Sequence, residues 1–321
     1  MRSLLVLPVL VALVAGATLD FNHYWTAQEI NAYLDELASD FPTLASVVNV
    51  GTSTEGRPIR ALRVSKGNVA NRPLVIVESG LRAREWISPM SASYILHEIV
   101  EHYYEFENIL DNVNFLIVPL VNPDGYEFSR TPNNRMWVKS RSVNGNGCFG
   151  TDLARNFGYL WNTVGGSSDP CSDSFVGTGA FSTPETAALR NFIQANSANL
   201  VLYLSIQSAD QMVLYPFSHS AMTNPSNVAE LRSLANSVAQ TLTNQNGRIF
   251  TVGGAGLLQP AASGSSIDYV AGTFQPDLVY TLETGAGGTT GYDVPEAQMA
   301  AYLSETTYGF LTMAEYVANN K

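Results

Sequence analysis

Short β-branched and apolar runs alternate with stretches of helical periodicity along most of this chain, and no other feature limits its fold so strongly. The runs stand at Val47–Val50, Ile59–Val64, Leu74–Val77, Phe115–Leu120, Leu200–Ile206 and Leu278–Leu282. Between them, Thr26-Ala27-Gln28-Glu29 forms a capping box ahead of Ile30, Tyr33, Leu34 and Leu37, and Phe41-Pro42 stops that helix. Further helices are expected from Ser88-Pro89 to about Tyr104 (with Pro at the first helical position), from Thr183-Pro184-Glu185 to near Asn196, over Val228–Thr243 and over Pro295–Tyr316. Such alternation predicts an α/β fold with a mixed, largely parallel sheet covered by helices on both faces. Nothing repeats and no linker divides the chain, so one domain is expected. Gly and Ser cluster at 144–180, 253–266 and 284–291, which read as loops. Ligands in such folds bind beyond the carboxyl ends of strands, which directs attention to the loops after Val77, Leu120, Ile206 and Leu282.

Composition removes several function classes. With 321 residues, 45% of them hydrophobic, the chain has ample apolar surface to offset the entropy of ordering, which excludes disorder. A net charge of −11 and the absence of any Lys/Arg run argue against nucleic acid, whose binding rests on phosphate neutralisation. Residues 1–17 read as a secretory signal: Arg2, then the apolar Leu4 to Val14, then Ala15-Gly16-Ala17. That apolar run is far short of the roughly 20 residues a membrane span needs. The expectation is a secreted, extracellular chain from Thr18, without a membrane partner. Cys148 and Cys171 are the only cysteines; in an oxidising compartment they read most simply as a disulfide, with a thiol nucleophile as the rival reading.

Two motifs look functional and are set aside. Gly145-Asn146-Gly147-Cys148-Phe149-Gly150 matches a dinucleotide fingerprint but follows no clear strand and opens no helix. His97-Glu98-Ile99-Val100-Glu101-His102 spaces its histidines five apart. Five residues turn a helix by about 500°, so the imidazoles point roughly 140° apart and cannot share one ion, and they read as surface and core-edge histidines. With His23 and His219 these are the chain's four histidines.

Glu78-Ser79-Gly80-Leu81-Arg82-Ala83-Arg84-Glu85-Trp86-Ile87-Ser88-Pro89 follows a strand and runs into a helix. It resembles the first zinc-ligand segment of the secreted metallocarboxypeptidases of the carboxypeptidase A/B type, peptidase family M14. Thr54-Glu55-Gly56-Arg57-Pro58, Asn122-Pro123-Asp124-Gly125-Tyr126, Ala180-Phe181-Ser182-Thr183-Pro184-Glu185, Leu214-Tyr215-Pro216 and Ser266-Ile267-Asp268 follow in the family's order. The resemblance implies one α/β domain over residues 18–321 with a sheet of about eight strands, a Cys148–Cys171 disulfide, and no pro-segment, the signal running directly into the family's mature start near Leu19–Tyr24. In the family, two His and one Glu hold a zinc that activates water, a second Glu is general base, and arginines grip the substrate carboxylate and the oxyanion.

Most of those parts are replaced here. Set on the family's pattern, the zinc positions hold Arg82, Glu85 and Gln207. Arginine has no lone pair to give a metal, and the Gln carbonyl is a poor zinc donor beside imidazole. Val138 stands at the oxyanion arginine, Ala154 at a carboxylate-binding Asn, and Pro260 at the mobile Tyr; Glu283 matches the general base. Arg84 and Arg155 match substrate-binding positions, and Ile267 lies where the family lines its side-chain pocket, implying an apolar or aromatic preference.

The resemblance therefore implies a pseudoenzyme: no zinc, Glu283 idle, and weak binding of C-terminal peptides, inhibitors or partner proteins. Glu85 and Glu283 are expected to face each other, with the Arg82 guanidinium in the zinc's place between them. Two alternatives stand beside it. One is an active, zinc-dependent metallocarboxypeptidase that removes C-terminal apolar or aromatic residues through a rebuilt metal site. The other is a bulk structural or storage protein.

Overall fold

The structure is a computed structural model that describes residues 20–67 and 70–321. The expected signal over residues 1–17 lies outside the described residues. The chain runs α1 (Ala27–Asp40), β1 (Ala45–Thr52), β2 (Pro58–Val64), β3 (Leu74–Ser79), α2 (Ile87–Glu101), α3 (Glu107–Asn112), β4 (Asn114–Val118) and α4 (Pro123–Ser129). After a long loop region come α5 (Pro184–Ala195), β5 (Leu200–Ser208), β6 (Met212–Tyr215), α6 (Val228–Asn246), β7 (Thr251–Gly254), α7 (Ala255–Leu258), α8 (Ser266–Thr273), β8 (Leu278–Thr284) and α9 (Met299–Asn320).

Eight strands form one mixed sheet in the order β1-β2-β4-β3-β5-β8-β6-β7. The central run β4-β3-β5-β8 is parallel throughout. Its strands are buried on both faces, and side-chain alternation divides each between two cores. Val75, Val77, Phe115, Ile117, Leu202, Leu204, Tyr280 and Leu282 enter one core with α1, α2, α6 and α9. Leu74, Ile76, Leu116, Val118, Tyr203 and Val279 enter the other, with α5 and α8. The expected α/β domain with helices on both faces is the observed one.

Thr26 caps α1 through the full capping box. The second helix differs from expectation at both ends. Pro89 is its third residue, still within the first turn where a backbone N–H has no intrahelical partner. The helix stops at Glu101 rather than near Tyr104, and His102 leaves the helical path at φ −106°, ψ 27°. The His97 and His102 rings therefore stand 5.2 Å apart. The expected divergence of the two imidazoles is overturned, because it assumed a helix continuous through His102.

Cys148 and Cys171 are bridged, with Cα atoms 5.2 Å apart. The bridge closes a loop of sequence separation 23 across a region with little regular structure. Cys148→Ser with Cys171→Ser is expected to lower the unfolding free energy by about 3 kcal/mol, measurable by denaturant titration of both proteins under non-reducing conditions. The 145–150 stretch holds only a 3-10 turn at Gly145–Gly147, so it carries no nucleotide fingerprint.

Among the described residues, no helix is long and apolar enough to cross a membrane.

Candidate functional site

The site is built by strand parity. Glu78 on β3, Ser205 and Gln207 on β5, and Thr281 and Glu283 on β8 share the face of Ile76, Tyr203 and Val279, and they stand toward the carboxyl ends of three adjacent parallel strands. In the sheet register Glu78 pairs with Ser205, Ser205 with Thr281, and Gln207 with Glu283. Apolar alternation thus gives way to a polar patch where the strands end. The loop from β3 into α2 lays Arg82, Arg84 and Glu85 over it. The result is a cleft of about 350 Å³ whose lining includes Arg82, Gln207, Glu283, Val138, Ala154 and Pro260.

Arg82 lies at its centre. Its Nη1 donates to Gln207 Oε1 at 3.0 Å and to Glu85 Oε1 at 3.4 Å. Its Nε stands 3.9 Å from Asp152 Oδ1. The three residues at the expected metal positions are therefore together, with the guanidinium among them. Gln207 Nε2 donates to Ser205 Oγ at 2.9 Å, and Glu85 Oε2 accepts from the Ser208 N–H at 3.3 Å.

Glu283 is placed differently from expectation. Its Oε1 accepts from Gln259 Nε2 at 3.2 Å, and Gln259 also reaches Asp210 Oδ2 at 3.1 Å. The hydrogen bonds of Arg82 go to Glu85 and Gln207, so Arg82 acts on Glu283 through space.

The carboxyls are strongly perturbed. Burial pushes Glu85 up to about 8, against the downward pull of Arg82. Burial likewise raises Glu283, again opposed by Arg82. Below them Glu78, which accepts from Ser266 Oγ at 2.9 Å, is pushed up to about 7 by burial, with nearby hydroxyls acting the other way. Burial draws the Arg82 guanidinium down, but Asp152, Glu85 and Glu283 outweigh it and the net shift is upward. It stays charged at every working pH.

Arg155 lines the cleft but is engaged: Nη1 bonds Asp152 Oδ2 and Nε donates to the Gly165 carbonyl at 2.9 Å. Arg84 donates to Tyr292 Oη at 2.9 Å and lies 4.2 Å from the centre of its ring. Ile267, at the start of α8, lines the apolar part with Leu214 and Ala255. Val138 is buried, and its carbonyl accepts from the Ala83 N–H at 2.9 Å.

Sequence reasoning missed Asp152, the buried carboxylate shared by Arg82 and Arg155, although it sits only three residues before Arg155. It also missed Gln259, Asp210 and Tyr292, which come from loops with no local pattern to mark them. The loop after Leu120 does not line the cleft: Asp124 turns instead to Ser53, Glu55 and Arg57.

The zinc carboxypeptidase family model, Peptidase_M14, matches residues 30–309. Among curated proteins, carboxypeptidase B of Astacus astacus is 37% identical over 301 residues, covering 93% of this chain and 98% of that protein. Carboxypeptidase B of Helicoverpa zea is 36% identical over 311 residues, with coverage of 94% and 72%. Among solved structures, carboxypeptidase A from Helicoverpa armigera superposes with a TM-score of 0.87 at 33% identity, covering 94% of this chain and 75% of that one. Bovine thrombin-activatable fibrinolysis inhibitor in complex with tick carboxypeptidase inhibitor gives 0.86 at 29% identity, with coverage of 94% and 99%. Motif order, sheet topology and these matches agree: the chain belongs to the zinc carboxypeptidase family.

Proposed function

We propose that this chain is a secreted, non-catalytic member of its family, whose cleft binds the C-terminal ends of peptides or of partner proteins without cutting them. One observation carries the reading: the Arg82 guanidinium lies within hydrogen-bond distance of both Glu85 and Gln207. Zinc does not fit this trio. A guanidinium cannot be deprotonated in a protein, so it offers a cation where a metal needs a lone pair. The Gln207 carbonyl is neutral and already bound, leaving Glu85 as the single anionic donor. Glu283, at the general-base position, then has no activated water to act upon, and Val138 and Ala154 supply no side-chain donor to an oxyanion or a carboxylate.

Binding is a separate matter from cleavage. Arg155 retains Nη2 and the second hydrogen of Nη1 for a ligand carboxylate. The wall formed by Ile267, Leu214 and Ala255 favours an apolar or aromatic terminal side chain. A family relative in complex with a carboxypeptidase inhibitor supports protein partners for this chain as well. The signal expected over residues 1–17 supports secretion, and the domain over 18–321 would be the secreted form.

Calorimetric titration with short peptides ending in Phe, Leu or Lys tests binding. Heat of binding is expected from Phe and Leu and none from Lys, with every peptide recovered intact. Silence from all three ends the binding proposal. Turnover of the Phe peptide would establish the alternative, an active carboxypeptidase with a rebuilt metal site.

A further inference from the structure

We propose a second metal site outside the cleft, in which His97, Glu98 and His102 hold a late first-row divalent cation such as zinc at the carboxyl end of α2. One ligand atom from each residue lies within 4.8 Å of the other two. Around a tetrahedral ion with bonds of about 2.0–2.1 Å, ligand atoms stand roughly 3.4 Å apart, so modest side-chain rotation closes the site. Two imidazoles and one carboxylate suit zinc and copper rather than calcium or magnesium.

A supporting shell is already in place. His97 Nδ1 lies 2.9 Å from Glu101 Oε1 and 3.0 Å from the Tyr33 hydroxyl, while that hydroxyl donates to Glu101 Oε1 at 2.7 Å. Donation from Nδ1 to the carboxylate fixes the tautomer and leaves the Nε2 lone pair for a metal, the arrangement that commonly orients metal-bound histidines. Tyr33 is buried on α1, so the shell rests on packed structure. Glu98 Oε2 and His102 Nδ1 already stand 3.2 Å apart, close to the spacing of two ligand atoms on one ion, and the Tyr94 hydroxyl bonds Glu98 from outside. The His102 side chain is 40% exposed, giving an ion a route in and room for a water as fourth ligand.

The site arises because α2 ends at Glu101. A further turn of helix would carry His102 away from His97. A bound ion would tie His102 back to that last turn and brace the carboxyl end of the helix. Zinc bound by the whole protein would then report on this end of α2 and not on the cleft.

The experiment is calorimetric titration of Zn²⁺ into wild type, His102→Ala, Glu101→Gln and Glu85→Gln in a buffer without chelating groups. Wild type and Glu85→Gln are expected to bind one ion per chain. His102→Ala should lose at least tenfold in affinity while keeping the metal-free melting temperature of wild type, because its side chain is exposed. Glu101→Gln, a positioning change, should lose about 10- to 100-fold, since it removes the carboxylate that orients His97. Undiminished binding in His102→Ala, or no binding to wild type, overturns the site. Zinc lost in Glu85→Gln but kept in His102→Ala would move the ion to the cleft and overturn the non-catalytic reading as well.

Discussion

Replacing Glu85 with glutamine is expected to stabilise this protein at pH 8 by about 3 kcal/mol relative to its effect at pH 5. The Glu85 carboxyl is 1% exposed, and burial raises it from an ordinary 4.5 to about 8. A carboxyl whose folded value lies above its unfolded value contributes stability that is fully present below pH 4.5 and is lost as pH rises through the folded value. Since a tenfold change in proton affinity is worth about 1.4 kcal/mol, the rise from 4.5 to about 8 sets a ceiling of about 5 kcal/mol. Glutamine has no proton to lose, so it escapes the alkaline penalty; it keeps one acceptor oxygen where Arg82 and the Ser208 N–H use two, a loss that is the same at both pH values. The interval from pH 5 to pH 8 begins above the unfolded value and ends at the folded one, so the expected difference is below the ceiling. Glu283→Gln should shift stability in the same direction, because burial raises that carboxyl too. Denaturant titrations at the two pH values measure the difference. A zinc-bound Glu85 would behave oppositely, since a metal holds its carboxylate ionised and glutamine would weaken the site. Destabilisation that is equal at both pH values would show that burial does not govern this carboxyl.

Much of this arrangement is legible in the chain itself, for reasons that lie in particular residues. The six apolar runs are β1–β5 and β8; β3, β4, β5 and β8 are apolar at most positions because both their faces are buried, while the edge strand β1 shows through its β-branched residues. β6 and β7 carry no such signal: each spans four residues, and Gly253 and Gly254 deprive β7 of a β-branched signature. The convergence of Arg82, Glu85 and Gln207 is legible because motif order fixes which strand end each one occupies. How Glu283 and Arg155 are engaged is not legible, since Gln259, Asp210 and Gly165 reach them from irregular loops. The pairing of His97 with His102 is hidden for a different reason. Helical spacing holds only while the helix lasts, and an end about three residues earlier than expected, just before His102, turns two divergent side chains into neighbours.

On the proposed reading, combining Arg82→His and Gln207→His should create zinc binding in the cleft, whereas peptide hydrolysis should not follow. The two substitutions place imidazoles beside Glu85 at the ends of neighbouring strands, giving two nitrogens and one carboxylate with a position open to water. Made in a His102→Ala background, the pair is expected to bind one zinc per chain at least tenfold more tightly than the background alone. Asp152 Oδ1 already stands near the residue-82 side chain and would accept from the new imidazole, fixing its tautomer. Hydrolysis needs more than the metal. The developing oxyanion would meet Val138, which has no donor, and loss of one such donor typically costs about 10²–10³ in rate. Adding Val138→Arg should therefore raise turnover of a C-terminal Phe substrate by about that factor over the zinc-binding pair. The replacement leaves the carbonyl that accepts from Ala83 in place, so the loop into α2 keeps its anchor. Ala154 and Pro260 remain unrepaired and should hold the triple variant well below a working peptidase. Brisk hydrolysis by the histidine pair alone would show that metal loss was the sole lesion and that the cleft stabilises the oxyanion without an arginine at 138.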